Sequence, residues 1–444
     1  MDNSPVSGNV LNSFKLTVRT VKENTVLAIP PSGIVELKSY IGEIYYYESL
    51  LSPITTAKVL FVNTDKSIKL HEDLGLSDGG AEMVEISISD VVSDAFGDPN
   101  PGLNIKMYVD QVSNVQSTPF GEVFTMKLSS VWKESLESQK AIKGEVTANP
   151  LSIAQEIYQK NFNKKIDFFE VPTNTVTVNF GGEKKDDTLP SIMRLAAMSS
   201  SQKSAGFFFW QTKQGHHFES ADEMVRRGKS NGQNLLPYVF NGVNEGLIDN
   251  VNNARTIRSL SIRSNDWTVK NNARAAGPVA NIAFDPITYN WYVDQKESQE
   301  EFFDVLDTET VTIKDESNFT KNAWSTNKLE GLGIMYRNPK DLCNFAEQPF
   351  QTKAKAKARY TSFFGRMIQM TVPVNTTIMA GGTLKVNISR PIAGNECSTE
   401  DTIATSDDSG LYTVAGVCHS FSFGTRRAYS SVFLTRDQKK KRTQ

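Results

Sequence analysis

Histidine and cysteine are scarce in this sequence, with four of the first and three of the second among 444 residues. Cys343, Cys397 and Cys418 are far apart and odd in number, and no Cys-x-x-Cys pair occurs. That excludes a disulfide framework or a zinc knuckle and favours folding in a reducing compartment. His71, His216, His217 and His419 leave few combinations for a Ser/His/Asp or Cys/His catalytic group. A Gly-x-x-x-x-Gly-Lys phosphate loop is missing. No run of about 18 apolar residues is present, so no membrane-spanning helix is expected. The start, Met1-Asp2-Asn3-Ser4-Pro5, has neither the basic nor the apolar region of a secretory signal, which predicts a soluble chain. A surplus of either charge is lacking too: 48 Lys and Arg face 50 Asp and Glu, for a formal net charge of -2. A dedicated nucleic-acid binder usually carries a basic excess, although a local patch stays open.

What is present is enough apolar material for a core, 39% hydrophobic against 22% charged residues. A chain this long has room for two to four domains of roughly 100–200 residues each. The first 140 residues read as strands. Phe14, Leu16 and Val18, then Val84, Ile86 and Ile88, then Leu103, Ile105, Met107 and Val109, and finally Phe124, Met126 and Leu128 each alternate with polar neighbours. Period-two alternation puts one face of a strand on a core. Gly79-Gly80 and Gly97 to Gly102 supply turns, and many short strands point to a barrel or a strongly bent sheet.

The character changes near Gly144. Asn149-Pro150 is a helix start, with Leu151, Ala154 and Tyr158 following at helical spacing. A second helix is predicted from Thr188-Leu189-Pro190, carrying Ile192, Leu195 and Ala196. Gly206-Phe207-Phe208-Phe209-Trp210 is too apolar for an exposed strand and is predicted to be buried on both faces. Ala356, Tyr360, Phe363, Phe364 and Met367 form one apolar helical stripe. Alternation then returns at Ile368, Met370, Val372 and Val374, at Leu384, Val386 and Ile388, and from Gly410 to Leu434. The chain therefore reads as two β-rich modules with α+β material between them, ending in a frayed basic tail, Lys439 to Arg442.

Three clusters invite a chemical reading. His216-His217 with Glu219 is the most ligand-like, but on a strand adjacent side chains point to opposite faces and cannot share one metal. Cys418-His419 diverge for the same reason. Lys353-Ala354-Lys355-Ala356-Lys357-Ala358-Arg359 spreads its cations around a helix, which reads as a solvated face with Ala356 buried. Carboxylates are abundant, but nothing marks one pair as a glycosidase couple. The sequence predicts no catalytic residue, no cofactor and no metal site.

Several segments together resemble the central baseplate hub of contractile-tailed phages. Ile44 to Ile54, containing Tyr47-Glu48-Ser49 and Pro53, runs into the strand Ala57 to Val62 as the family's "YES…P" element does, and Gly80-Ala81-Glu82-Met83-Val84 is similar to its "GGE-V" strand start. Leu189 to Ile192, Gly206 to Trp210, Gly215 and Phe218-Glu219-Ser220 resemble its helix, aromatic strand and turn. Gly410 to Val414, Val417, His419 and Tyr429 to Asp437 resemble the last two strands of its second barrel, a pattern shared with type VI secretion spike proteins.

The resemblance implies an α+β, mainly β fold, with two tube-type β-barrel domains and inserted α+β segments, assembling as a ring. The first barrel would cover 1–142 and the second 236–268 and 363–437. The α+β domain would take 143–235 and 269–362, and 438–444 would form the basic tail. The excess length over the family is assigned to the region from Lys270 to Phe350. A homotrimer would present six barrels to a six-fold tail tube or tube-initiator protein and a three-fold face to a central spike protein. The tape measure protein and the surrounding baseplate wedge would be further partners. DNA would touch the chain only in transit through a lumen lined by residues such as Asn104, Lys106 and Asp110. The location would be the virion tail baseplate, assembled in the host cytoplasm, with no membrane insertion. Two alternatives stay open: the hub of a type VI or other contractile injection particle, and a tail-associated peptidoglycan hydrolase. The type VI spike normally continues into a needle, whereas this sequence stops shortly after Arg436.

Overall fold

The computed structural model describes residues 11–20, 26–28, 34–65, 68–76, 82–90, 102–118, 121–131, 143–181, 197, 205–232, 234–240, 255–264, 279–285, 290–296, 333–334, 356, 359–360, 363–391, 403–405, 408–425 and 427–436. The predicted helix at 188–196, the tail at 439–442, Cys343 and Cys397 lie outside them.

Alternation in the first 130 residues produces strands as predicted. These are β1 (Leu11–Thr20), β2 (Ile41–Ser49), β3 (Thr56–Asn63), β4 (Glu82–Asp90), β5 (Leu103–Thr118) and β6 (Gly121–Ser129), with the short helix α1 (Leu70–Asp73) between β3 and β4. They pair antiparallel in the order β1-β4-β5-β6-β3-β2. Leu16, Val18, Val84, Ile86, Met107, Phe124 and Met126 share one core with Ile44, Tyr46, Val59 and Phe61. Their polar neighbours in sequence take the other face, where Lys15, Asn104, Lys106 and Lys127 are exposed.

The middle of the chain is α+β. β7 (Lys143–Ala148) pairs with β9 (Val176–Gly181), and α2 (Pro150–Phe162) leaves β7 through an Asn149 cap whose side chain accepts from the Leu151 N–H. β8 (Phe168–Phe169), β10 (Phe207–Thr212) and β11 (Gly215–Ser220) form a second small sheet in the order β10-β11-β8. Next comes α3 (Ala221–Gly232), whose first turn is capped by the Ser220 hydroxyl accepting from the Glu223 N–H at 3.1 Å. The Ser220-x-x-Glu223 spacing is the sequence signature of that start.

The late part supplies β12 (Tyr238–Phe240), β13 (Ser259–Ser264), a separate trio of β14 (Val279–Asp285), β15 (Asn290–Lys296) and β16 (Gly333–Ile334), and then β17 (Arg366–Pro373), β18 (Thr383–Pro391), β19 (Ile403–Thr405), β20 (Gly410–Ser422) and β21 (Arg427–Arg436). Ile368, Met370, Val372, Val386, Tyr412, Val414, Val432 and Leu434 form their core. β12 lies parallel on β18, and Val239 of β12 also bridges Thr256, next to β13. The Val239 N–H donates to the Arg255 carbonyl at 3.0 Å, and the Ile257 N–H to the Val239 carbonyl at 2.9 Å. Among the described residues no uninterrupted strand ladder closes into a barrel.

The two β-rich halves are not separate sheets. β2 pairs directly with β20, from Glu43 opposite Ser422 to Ser49 opposite Gly416, so that one thirteen-stranded sheet runs through both. The helical stripe ends earlier than its spacing predicts. Ala356, Arg359, Tyr360 and Phe363 are helical, but Met367 already lies in β17 opposite Thr435. The ladder to β21 takes over the backbone there, and an apolar residue at i+11 satisfies either periodicity.

Candidate functional site: the three-way joint

Glu48 follows Ile44 and Tyr46 on the inward face of β2, at a position where alternation calls for an apolar residue. It is 3% exposed. Its Oε1 accepts from the Lys213 N–H at 2.8 Å and the Tyr46 hydroxyl at 3.1 Å, and its Oε2 accepts from the Ala380 N–H at 3.1 Å. One carboxyl thus ties β2 of the early half, the β10–β11 turn of the middle region, and the turn before β18 of the late half. A buried carboxyl is tolerable only when hydrogen-bonded, and here both oxygens are. Burial pushes Glu48 up to about 7, against the pull of the two amides and the Tyr46 hydroxyl.

The surroundings reinforce the same contact. Trp210 donates its indole N–H to the Ala380 carbonyl at 3.1 Å and packs with Leu50, Phe208, Ala221, Met224 and Phe363. Gly381 has φ +82°, and a Cβ there would lie 2.5 Å from the Trp210 ring, so the turn both needs the left-handed region and admits no side chain. The Lys213 ammonium reaches away, to the Gly102 carbonyl at 3.1 Å. Gln211 accepts from the Thr55 N–H at 3.2 Å and from the Ser130 hydroxyl, a second tie from β10 to the early half.

The predicted two-sided burial of the aromatic strand is found in β10. Phe207 and Phe209 enter the α2 core, whereas Phe208 and Trp210 enter the joint. His216 and His217, next door on β11, likewise part company. His216 lies 2.6 Å from the Tyr158 hydroxyl in the α2 core, and His217 stacks between Trp210 and Phe168, with ring centroids 4.7 and 4.6 Å away. Cys418 and His419 diverge in the same manner on β20. His419 is buried, with Nδ1 2.8 Å from the Ser430 hydroxyl and Nε2 3.1 Å from the Ile378 carbonyl. Among the described residues no group of three or more His, Cys, Asp or Glu side chains could hold a metal ion.

A hydroxyl–imidazole–carboxylate line does occur, from Thr212 through His217 to Glu219. His217 Nε2 is 3.0 Å from the Thr212 hydroxyl, but Nδ1 is 4.0 Å from Glu219 and makes no hydrogen bond. Thr212 is 3% exposed and Glu219 is paired with Arg227 at 2.7 Å. A buried hydroxyl with an unanchored base is a poor nucleophile. The line serves packing.

Arg359 corrects the reading of the basic run. It does not lie on a solvated face: it is 2% exposed, crosses over Gly206, and donates from Nε to Asp222 Oδ1 at 2.6 Å. Ala356 is buried as predicted. Glu48 and the Arg359–Asp222 pair are what sequence reasoning missed. The signal for Glu48 was a carboxylate at the inward phase of Ile44-x-Tyr46-x-Glu48-x-Leu50. Arg359 gave none, since its partner is 137 residues away.

Two imidazoles make the fold acid-sensitive. Burial, with help from Lys164 and His217, pushes His216 down to about 3, and burial pushes His419 down to about 4. Both stay neutral when folded, while the unfolded chain takes up protons below about 6.5, so their contribution is lost as pH falls from there. Glu48 has the opposite sign: its folded value is raised, so its contribution falls as pH rises from about 4.5 through 7. Two groups outweigh one. The urea midpoint at pH 5 should lie below that at pH 7.5, and His216→Gln should flatten the difference. A pH difference unchanged in His216→Gln would show that this imidazole is not buried neutral.

No family model matches the sequence, and no curated protein matches it. Among solved structures the chain is similar to the tail protein from Neisseria meningitidis MC58, at 10% identity and a TM-score of 0.51, covering 96% of this chain and 97% of that one. It is also similar to the 43 kDa tail protein of prophage MuSo2 from Shewanella oneidensis, at 10% identity and a TM-score of 0.44, covering 96% and 97%. A chain of the Francisella PdpA-VgrG complex is similar at 11% identity and a TM-score of 0.46, covering 98% of this chain and 61% of that one. The chain therefore shares the fold of the Neisseria tail protein along nearly its whole length, and this agrees with the baseplate-hub resemblance carried by the sequence motifs.

Proposed function

We propose that this chain is a structural, non-enzymatic tail protein, the ring-forming hub of a contractile-tail baseplate in a virion. The observation that carries this reading is the thirteen-stranded sheet, in which a six-stranded early half is joined through β2 and β20 to a late half of comparable size. Two like arcs in one chain are what a three-fold ring needs to offer six positions to a six-fold tube. The Val239–Thr256 bridge supports a barrel reading of the late half, since it brings β12 back towards β13. On this reading the early barrel takes 1–142 and the late one 236–268 and 363–437, with 143–235 and 269–362 packed outside.

The non-core face of the sheet supports a channel role. Asn104 and Lys106 are exposed there, and Asp110 accepts from Ser129 at 2.7 Å. A polar, mixed-sign face passes DNA without reading bases. Partners would be two further copies, a central spike protein, the tail tube or its initiator, the tape measure and the baseplate wedge. Cyclic head-to-tail contacts would each bury more than about 1,000 Å².

The test is native mass spectrometry with two-dimensional class averages, on the chain co-expressed with its spike. A trimer with a central hole and six similar lobes is expected. A stable dimer, a hexamer or a persistent monomer in the presence of the spike would overturn the hub reading, as would clearing of cell walls by the chain alone in a zymogram.

A further inference from the structure

We propose that the outward face of the sheet where β2 meets β20 is a stacking platform for single-stranded DNA, with aromatic rings under the bases and lysines beside the phosphates. A sheet packed on one side ordinarily leaves a polar outer face. That holds in the early half, where Lys15, Asn104 and Lys106 are exposed. At the junction it fails. Tyr45, Tyr47, Tyr429 and Phe433 stand on the face away from both cores, Tyr47 at 39% and Phe433 at 46% exposure. The register gathers them. Tyr45 lies opposite Ser420, which lies opposite Tyr429, and Tyr47 lies opposite Cys418, with Phe433 opposite Gly416 on the next strand over. Cross-strand partners share a face, so four rings rise around a floor of small residues that leaves their surfaces reachable.

Charge sets the direction of the strand. On the other side of β2, Tyr45 lies opposite Lys58 and Lys58 opposite Lys127, one and two strand spacings away, or about 5 and 10 Å. A four-stranded sheet with exposed aromatics can stack two or three bases, and this platform spans five strands, β21-β20-β2-β3-β6. The Tyr45 and Tyr47 rings are near parallel, 16° apart with centroids 6.5 Å distant, and the Tyr45 hydroxyl donates to Glu43 at 2.6 Å. That hydrogen bond pushes Tyr45 up to about 12 and burial pushes Tyr47 up to about 12, so both hydroxyls stay neutral beside a phosphate. Glu43 is the opposing charge, but it lies beyond Tyr45 from Tyr47 and is engaged by the Tyr45 hydroxyl. Stacking is indifferent to base identity, and it needs unpaired bases whose faces are free. The channel reading above supplies only the source of such a strand, the leading end of DNA in transit, and the platform rests on it in that respect.

Fluorescence anisotropy of a labelled oligo-dT of about twelve nucleotides, titrated with the full-length chain at low salt, reads the platform. Saturable binding is expected, with a duplex of the same length bound more weakly. Tyr47→Ala should weaken the single strand about tenfold or more and leave the duplex unchanged. Lys58→Gln should lower the slope of log affinity against log salt by about 0.7. Lys69→Gln, beside α1 on the core side of the sheet, should change nothing. If Tyr47→Ala does not fold, Phe433→Ser at the second exposed ring takes its place. Absence of saturable binding would overturn the proposal, as it would if a neighbouring protein strand covers this face instead. So would unchanged affinity in a folded Tyr47→Ala, or equal loss for duplex and single strand, which would mean a general polyanion surface. Native mass spectrometry separates this from the hub reading. A trimer that binds no oligo-dT sinks the platform and leaves the hub standing, and binding by a chain that forms no trimer does the reverse.

Discussion

Phe208→Ala lowers the free energy of unfolding by about 3–5 kcal/mol, the range for removing a large aromatic from a closed core. Phe208 is fully buried, with the rings of Tyr360, Phe363 and Phe364 at 4.9, 5.5 and 6.0 Å, two of them edge-on. These partners come from the segment before β17, so the void opens between the middle hairpin and the late half. The joint has little freedom to collapse, because Trp210, Glu48 and Arg227 fix the turn on its far side. Denaturant unfolding gives the magnitude, and hydrogen exchange should locate the weakening in residues 359–382. Phe209→Ala should cost a similar amount but loosen α2 instead, since Phe209 packs edge-on against Tyr158 at 5.5 Å. A cost below about 1 kcal/mol for Phe208→Ala would mean that β10 is not held between two cores.

Asp222→Ala is the second large effect, about 3–5 kcal/mol, because it leaves a buried guanidinium without its carboxylate. Arg359 and Asp222 are 2% and 8% exposed and joined at 2.6 Å, so water cannot replace the missing partner. Arg359→Met alone should also be costly, through the stranded carboxylate. The double variant Asp222→Ala with Arg359→Met should cost less than the sum, since it removes both charges from the interior. Strict additivity in that cycle would show that the two side chains do not interact. The pair fastens the start of α3 to the helical segment before β17, so a weaker Asp222→Ala protein should also lose protection across residues 221–224.

Both effects sit at contacts between distant parts of the chain, and that decides how much could be read in advance. Local patterns were legible. Alternation from Phe14 to Leu128 marks the early strands, Asn149-Pro150 marks the start of α2, and the apolar run Phe207 to Trp210 marks a strand covered on both sides. The helix α3 is legible as well, in Ser220-x-x-Glu223. Met367 is ambiguous in the sequence, because one apolar residue can continue a helical stripe or open an alternating strand. Arg359 was misplaced because a run of alternating cations looks solvated until its partner is known.

The class of fold came with the family resemblance of the ordered motifs, while the sequence by itself determined the early and late strands, the start of α2 and which of their faces are apolar. These are short-range properties, set by the two-residue period of a strand, the 3.6-residue turn of a helix and the conformational limits of Gly, Pro and Asn. Only the tertiary structure decided that β2 pairs with β20 so that one sheet runs through both halves. Only it decided that Glu48 meets Lys213 and Ala380, and Arg359 meets Asp222, across 165, 332 and 137 residues. A single sequence encodes no partner for a buried charge. The partner is fixed only when packing removes water from both groups and brings them within hydrogen-bonding distance.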